Sequence, residues 1–170
     1  IRKSLYLDAI VSSVDSKEYY VRNLPDKAKA ADRLASLSKN LSTLTHSIQS
    51  KEKKEGIERL QKYFNPEKIS ENIPGSMYVA YSVNKGEELS ICIREKDTEK
   101  FIDLNTVLFV SIHELSHIMS ESTGHTKEFW DNMKFLLEEA SKLGIYQPTD
   151  YAQSPTMYCG MEINSTPLNL

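Results

Sequence analysis

An α+β fold is predicted by the order in which helical and strand patterns follow one another along the chain. The 170 residues are 39% hydrophobic, which is enough to bury a substantial core. Apolar residues recur at three- and four-residue steps in three segments, as in amphipathic or buried helices. Two other segments, rich in β-branched and aromatic residues, are joined by a turn sequence, as in a hairpin. In chain order these are a helix over 31–48, strands over 77–83 and 88–94, and helices over 104–122 and 126–143.

The N-terminal part is predicted to be mainly helical. Residues 5–11 are apolar and indicate a short strand at the start. Pro25 suits the first turn of the long amphipathic helix that follows. Residues 51–64 continue the helical pattern, with a break expected near Gly56 because glycine weakens a helix interior.

The C-terminal part begins with the hairpin, whose turn is Asn84-Lys85-Gly86-Glu87. Asn105 or Thr106 is expected to cap the start of the next helix. The last helix should stop at Gly144, and the Pro-, Ser- and Thr-rich tail from Ile145 is predicted to be irregular. Four large apolar residues of this part are expected to pack in the core: Phe129, Trp130, Met157 and Met161. The alternatives are substrate contacts for Phe129 and Trp130, and an apolar floor under the metal site for Met157 or Met161.

The stretch His113-Glu114-Leu115-Ser116-His117 is the most informative part of the chain for function. Helical residues four apart project from one face about 6 Å from each other, so His113 and His117 can reach the same ion. Neutral imidazoles bind zinc at roughly 2.0–2.1 Å, although they also suit iron, copper and nickel. Glu114 is turned about 100° from His113 and can take a proton from a metal-activated water without binding the metal. The spacing therefore predicts a hydrolytic zinc site.

Three residues compete for the position of third ligand. His125 follows Gly124, at which the motif helix is expected to end, and is the predicted ligand because the chain can turn back there. Glu128, on the first turn of the next helix, is a carboxylate alternative. Glu121 continues the stripe of the two motif histidines, but a straight helix carries it about 12 Å beyond His113.

The remaining histidine and the two cysteines are predicted to be structural. His46 lies in a helical stretch far upstream of the motif. Cys92 and Cys159 can pair, stay free or bind metal, and two cysteines do not decide the redox compartment. For Cys159 a buried thiol is the preferred interpretation, whereas a thiolate at the open zinc position, holding the enzyme latent, is the alternative.

The motif and the residues after it resemble zincin metallopeptidases of the WLM and SprT (Spartan-like) type. Those families show His-Glu-x-x-His, then Gly-His, then Phe or Phe-Trp opening the following helix, as in Gly124-His125-Thr126-Lys127-Glu128-Phe129-Trp130. The likeness covers roughly residues 76–145, including a hairpin ahead of the motif helix. Three further stretches are similar to uncharacterised WLM-like proteins of large DNA viruses: residues 20–25, 81–86 and 158–160.

The resemblance implies a zincin-like fold and a zinc endopeptidase, with Zn²⁺ held by His113, His117 and His125 and with Glu114 as general base. Three imidazoles leave a fourth zinc position for water, whose pKa zinc can lower to about 7. The cellular families act on proteins crosslinked to or associated with DNA, so DNA-associated protein substrates are implied by resemblance alone. An intracellular or virion-associated location is expected rather than secretion.

Two tyrosines and one strand complete the predicted site. Tyr151 and Tyr158 are candidate oxyanion donors, because a loop C-terminal to the motif can fold over the cleft, but each can equally be packing. The hairpin offers an edge strand on which an extended peptide can pair. The alternative function is a catalytically silent, zinc-stabilised binding module. The intact Glu114 argues against that alternative, because a structural zinc site does not need a base.

Charge and length set the expected domain organisation. Residues 1–68 contain 14 Lys and Arg against 9 Asp and Glu, whereas residues 69–170 contain 7 against 15. The acidic balance of the half with the motif argues against a broad phosphate-binding surface around the cleft. The chain contains no run of eighteen apolar residues, so no membrane segment is predicted within it. We interpret residues 1–68 as an N-terminal helical region and 69–170 as the zincin catalytic core, together forming one compact domain.

Overall fold

The computed structural model of the protein describes residues 6–73, 75–76, 78–83 and 86–170. Within them the chain forms helices and short, mostly antiparallel strands, as the α+β prediction requires. The helices are α1 (Lys27–Ser47), α2 (Lys54–Tyr63), α3 (Leu104–Met119) and α4 (Lys127–Lys142). The strands are β1 (Leu7–Val11), β2 (Glu18–Arg22), β3 (Ile69–Glu71), β4 (Ala80–Val83), β5 (Glu88–Ile91), β6 (Thr156–Tyr158) and β7 (Met161–Ile163).

The first two strands form an antiparallel hairpin that packs on α1. The strand predicted near the start is confirmed as β1, whereas β2 was not predicted. In β2 the side chains of Tyr19 and Val21 are buried while those of Glu18 and Tyr20 are exposed, which is the two-residue alternation of a half-buried strand. Five residues of alternation are too short to stand out in a sequence.

The predicted break near Gly56 is wrong. The chain leaves the helical conformation after α1, with Ile48 extended, and Gly56 lies inside α2. A Cβ atom at Gly56 would lie 3.1 Å from Cγ of Met119 and 3.2 Å from its carbonyl oxygen. Glycine here lets α2 approach the end of α3 closely, which explains its place in a helix interior.

The central sheet has the strand order β3-β5-β4. The predicted hairpin is confirmed as the antiparallel pair β4 and β5, with Ala80 opposite Ile91 and Val83 opposite Glu88. The predicted turn residues Asn84 and Lys85 lie outside the described residues. The parallel pairing of the three-residue strand β3 with β5 was not predicted. Because β5 is central, β4 is an edge strand.

The motif helix α3 begins and ends differently from the prediction. Its N-cap is Asp103, and Asn105 instead bonds the backbone of Gln147 in the C-terminal segment. The predicted cap Thr106 is a buried residue within the helix. At the other end the helix stops at Met119, five residues before Gly124, so Gly124 is not its C′ residue.

The second C-terminal helix agrees with the prediction. Thr126 caps α4 by accepting a hydrogen bond from the N–H of Phe129. Gly144 follows its end with φ of +74°, the left-handed conformation that glycine adopts readily. Helices α1, α3 and α4 contribute to one hydrophobic core, which includes Leu34, Leu115 and Leu136. Among the described residues, no helix combines the length and the apolar character that crossing a membrane requires.

The C-terminal tail is not wholly irregular, because β6 and β7 form an antiparallel hairpin. Its turn residues Cys159 and Gly160 have φ of 49° and 85°. Cys159 forms a disulfide with Cys92, which directly follows β5. The prediction of a thiol, whether buried or bound to the metal, is therefore wrong, and the bond ties the hairpin to the central sheet.

Candidate metal centre and its cavity

Three of the four histidines converge beside the end of α3. His113 and His117 project from the same face of the helix, and His125 comes from the loop between α3 and α4. The possible ligand nitrogens all lie within 4.8 Å of one another. The ring centroids are 5.0 Å apart for His113 and His117, 5.0 Å for His113 and His125, and 5.1 Å for His117 and His125. The predicted ligand set is thus brought together.

Glu128 holds the loop that carries His125. Its carboxylate accepts hydrogen bonds from the backbone N–H groups of Glu121, at 3.0 Å, and Ser122, at 2.9 Å, and from the Ser122 hydroxyl at 2.6 Å. These bonds lower the pKa of Glu128 to about 2. Neither Glu128 nor Glu121, the two carboxylate alternatives, belongs to the cluster of ligand atoms.

The aromatic residues that open α4 support the centre from two sides. Phe129 is buried as predicted, and its ring centroid lies 4.3 Å from that of His117. Trp130 was expected in the core, and that prediction is wrong because it is 39% exposed. Its ring lies 5.4 Å from the His125 ring and 6.4 Å from the His113 ring, at the edge of the site.

The electrostatics of the cluster favour a neutral His117. Burial lowers the pKa of His117, and the neighbouring His113 and His125 lower it further, whereas Glu114 opposes them. The Glu114 carboxylate lies 3.6 Å from Nδ1 of His113 and is partly buried. Three imidazole donors with an adjacent carboxylate fit a zinc ion. His46 is exposed, and its Nδ1 lies 2.8 Å from the Ser42 carbonyl oxygen, within hydrogen-bonding distance.

A cavity of about 590 Å³ opens beside His113 and Glu114. Residues of the motif helix, of α4, of the segment before β4 and of the C-terminal hairpin line it. They are Tyr78, Val79, Ala80, Phe109, Val110, His113, Glu114, Trp130, Met133 and Tyr158 through Ser165. Met161 and Met157, both predicted as core, are 48% and 52% exposed, so that prediction is wrong for each.

The two candidate oxyanion donors occupy different positions. Tyr158 lines the cavity, is fully buried, and donates its hydroxyl to the carbonyl oxygen of Cys92 at 2.7 Å. Burial raises its pKa, and the nearby Glu114 carboxylate adds to that rise. Tyr151 is also buried, and its ring packs on Phe109 at 4.7 Å rather than lining the cavity.

The apolar residues that border the cavity are not predicted from the sequence. Tyr78 was not singled out, and Trp130 and Met161 were assigned to the core because large apolar side chains are usually buried. A signal was present for Trp130, since it follows Phe129 by one helical position. Consecutive helical residues point about 100° apart, so a helix that buries Phe129 points Trp130 in a different direction.

Comparisons with known proteins identify relatives of this chain. The model of the WLM domain matches residues 15–165. Uncharacterized protein R325 of Acanthamoeba polyphaga mimivirus is 33% identical over 160 residues, which cover 91% of this chain and 81% of the relative. Uncharacterized protein 136R of Invertebrate iridescent virus 6 is 35% identical over 72 residues, covering 41% of this chain and 40% of the relative.

The fold is similar to that of a solved structure. The crystal structure of Wss1 from Saccharomyces cerevisiae matches with a TM-score of 0.57 and 20% identity, covering 73% of this chain and 87% of that chain. A Wss1 mutant from the same organism gives a TM-score of 0.56, with 18% identity over 74% of this chain and 92% of that chain. These matches show a zincin-like fold. The domain match and the mimivirus relative place the chain in the WLM family, a metallopeptidase-like family.

Proposed function

We propose that this protein is a zinc-dependent metallopeptidase that hydrolyses peptide bonds of protein substrates. The observation that carries the proposal is the convergence of three imidazoles within 4.8 Å of one another, where one of them, His113, and the adjacent Glu114 carboxylate line one cavity. A purely structural zinc site does not need that carboxylate and usually has a fourth protein ligand. Among the described residues, the cluster contains three.

The zinc ion would be held by His113, His117 and His125, whose neutral nitrogens are the donors that zinc prefers. When bound there, zinc would act as a Lewis acid towards water and the scissile carbonyl group. Helix α3 fixes the first two rings relative to each other, and the hydrogen bonds of Glu128 fix the loop of the third. The chain thus supplies an ordered ligand set.

Glu114 would act as general base and then as general acid. Its carboxylate lines the cavity beside His113, where it can take a proton from water and later deliver it to the leaving amine. Tyr158 would have to release the Cys92 carbonyl before its hydroxyl could bind a substrate oxygen. Tyr151 is buried, packs on Phe109 and does not line the cavity, so it would have to move before its hydroxyl could reach a substrate. Their role as oxyanion donors remains a prediction.

An extended segment of a protein substrate is the ligand that suits the site. Strand β4 is an edge strand, and Val79 and Ala80 line the cavity, so a peptide could pair with this edge and pass Glu114. The described residues that line the cavity include no Lys or Arg, so nothing there selects a phosphate. DNA-associated proteins are proposed as substrates on family resemblance alone. An intracellular or virion-associated location is proposed because the relatives are viral proteins.

The proposal is tested by zinc analysis and casein cleavage on four variants. The wild type should contain one zinc ion and cleave casein. Glu114→Gln should keep the zinc and lose activity by about 10²–10⁴-fold, because it removes only the proton acceptor. Glu121→Gln, an exposed carboxylate that follows the motif helix, is the matched control and should leave activity unchanged.

The metal ligands are tested in the same way. His125→Ala should lose most of the bound zinc, whereas His46→Ala, at the exposed histidine, should retain it. Casein cleavage that persists in Glu114→Gln would refute the assignment of the base. Stoichiometric zinc without cleavage of any protein would favour the catalytically silent module.

A further inference from the structure

We infer that the cavity beside Glu114 is a specificity pocket that binds one large apolar side chain, an aromatic one best, of the residue adjacent to the cleaved bond. The inference rests on the proposed peptidase function and adds the substrate class. It is carried by the chemistry of the cavity walls, by the exposed side chains on the rim, and by the edge strand beside it.

Two helices build the fixed walls of this pocket. Val110 lies one turn before Glu114 on α3, so both face the cavity, and Met133 lies one turn after Trp130 on α4. Phe109 lies behind Val110 and packs against Tyr146 and Tyr151, with ring centroids 6.3 Å and 4.7 Å away. Since Phe109 and Met133 are buried in the core, the apolar wall exists before a substrate arrives.

Large exposed apolar side chains surround the same cavity. Tyr78 is 63% exposed, Trp130 39% and Met161 48%. They come from three separate parts of the chain, namely the segment before β4, helix α4 and strand β7, yet all three line this one cavity. Scattered apolar residues need no explanation on a protein surface, but convergence around a concave site marks a binding surface.

The charge of the lining excludes acidic side chains. The carboxylates of Glu114 and Glu162 face the cavity, whereas its described lining residues include no cation. Glu162 is exposed, so its charge is solvated. An uncharged, large side chain is therefore the occupant that the inner wall favours.

The edge strand restricts the preference to one substrate position. Val79 and Ala80 line the cavity on the side of β4. A peptide paired with that edge points successive side chains to opposite faces, so alternate residues face the cavity. The peptide bond to be cleaved must lie beside Glu114. Only one residue next to that bond can then enter the pocket.

Cleavage-site mapping tests the inference. Zinc-loaded wild-type protein is incubated with a peptide library from a digested proteome, and the new termini are identified by mass spectrometry. Phe, Tyr, Trp, Leu and Met should be enriched about tenfold over Ala and Gly at one fixed position beside the cleaved bond. Cleavage that depends on Glu114 but shows no such enrichment would overturn the pocket and leave the peptidase function intact. Absence of any cleavage would overturn the proposed function and the inference with it.

Pocket variants give a second, independent measurement. Two peptides that differ only by Phe or Ala at the preferred position are compared by their ratio of kcat/KM. Val110→Trp should fill the pocket and lower that ratio about tenfold. Val14→Trp, the same change at an exposed valine remote from the lining, is the matched control and should leave the ratio unchanged.

A substitution at an exposed position provides a second test in case Val110→Trp does not fold. Met161→Lys changes a 48% exposed side chain, so it should fold, and it should also lower the ratio of the Phe peptide to the Ala peptide. Both variants are first shown to bind zinc and to melt cooperatively. A ratio that stays at the wild-type value in a folded Val110→Trp or Met161→Lys protein would overturn the inference.

Discussion

Two polar clusters lie inside this fold, one around Arg94 and one around His117. Arg94 is 2% exposed, and its charge meets two carboxylates: Nε lies 2.7 Å from Glu71, and Nη1 lies 2.6 Å from Asp26. The Phe101 ring covers the guanidinium at 4.6 Å. These partners come from the N-cap of α1, from β3 and from the segment after β5, so two carboxylates of the chain balance the buried charge, while Nη2 of Arg94 is buried without a hydrogen-bond partner among the described residues.

The histidine cluster lacks such a balance. The nearest rings to His117 are those of His113, His125 and Phe129, and two of these carry the same kind of nitrogen donor. Burial lowers the pKa of His117, so its lone pair is available rather than protonated. The difference separates two uses of polar groups in one core: carboxylates of the chain itself balance the charge of Arg94, whereas the histidines bring together three nitrogen donors that could hold a metal ion.

The largest expected effect is on the Arg94 cluster. Glu71→Ala should lower the free energy of unfolding by about 3–5 kcal/mol, because it leaves a buried guanidinium with one carboxylate fewer. Urea unfolding followed by circular dichroism measures the change. The matched control is Glu67→Ala, which removes an exposed pair with Lys17 and should hardly change the free energy of unfolding, because solvent screens that pair. Equal effects from the two variants would contradict the role given to Arg94.

The second prediction concerns the disulfide, which lies two residues from Arg94. Cys92 and Cys159 are 67 residues apart, so reduction should lower the free energy of unfolding by about 2–4 kcal/mol. Urea unfolding with and without a phosphine reductant measures it, and the Cys92→Ala, Cys159→Ala double variant is the control that should not respond to reductant. The reduced protein should still bind zinc, because the three proposed ligands lie on α3 and in the loop between α3 and α4, outside the hairpin that the disulfide holds. Loss of zinc on reduction would show that the two clusters are coupled.

Zinc should stabilise the protein through the histidines alone. At a free zinc concentration one hundred times Kd, the gain is about 2.7 kcal/mol, measured as a rise in Tm over protein treated with a chelator. His125→Ala should lose this gain, and His46→Ala should keep it. Zinc should raise the Tm of Glu71→Ala by a similar amount, because the clusters share no partners. A zinc effect that disappears in Glu71→Ala would argue against their independence.

The parts of the fold that could be predicted are those with long local patterns. Helices α1, α3 and α4 repeat an apolar face over several turns, and β4 and β5 are joined by a recognisable turn sequence. Strands β2, β3, β6 and β7 have three to five residues each, too few for a period to stand out. The predicted ends of α3 are wrong because Asp103 and Ser120 flank the helix, whereas the prediction placed its ends at Asn105 or Thr106 and at Gly124.

The candidate site likewise has parts that a local sequence pattern predicts and parts that it does not. The spacing of His113 and His117 on one helix fixes their common direction, so both could be predicted as ligands from five consecutive residues. The disulfide joins Cys92 to Cys159 across 67 residues, a pairing that no local pattern encodes. Trp130 was misassigned because its exposure depends on which other elements surround it. Glu128 was weighed as a ligand, since a carboxylate near the metal can bind either the ion or the backbone.

Glu128→Gln tests whether the Glu128 carboxylate binds the metal ion or the backbone of the loop, and its expected effect on stability is the smallest of the four. Glu128→Gln should lower the free energy of unfolding by about 1–2 kcal/mol, because the loop N–H groups lose a charged acceptor. The looser loop should present His125 less well and weaken zinc binding about 10–100-fold, measured by competition with a chelating dye. Glu138→Gln, at an exposed carboxylate of the same helix, is the matched control and should change neither value.

The pH dependence of the zinc-free protein checks the same assignment. The pKa of Glu128 is lowered in the folded state to about 2 from 4.5. The carboxylate therefore contributes its full stability above the unfolded value, and that contribution is lost as pH falls from about 4.5 towards 2. Wild-type protein should lose more stability over this window than Glu128→Gln, which has no proton to take up there. Parallel curves for the two proteins would show that Glu128 does not hold the loop as a carboxylate. Zinc binding that survives in Glu128→Gln would then show that Gly124 and Thr126 are enough to order His125.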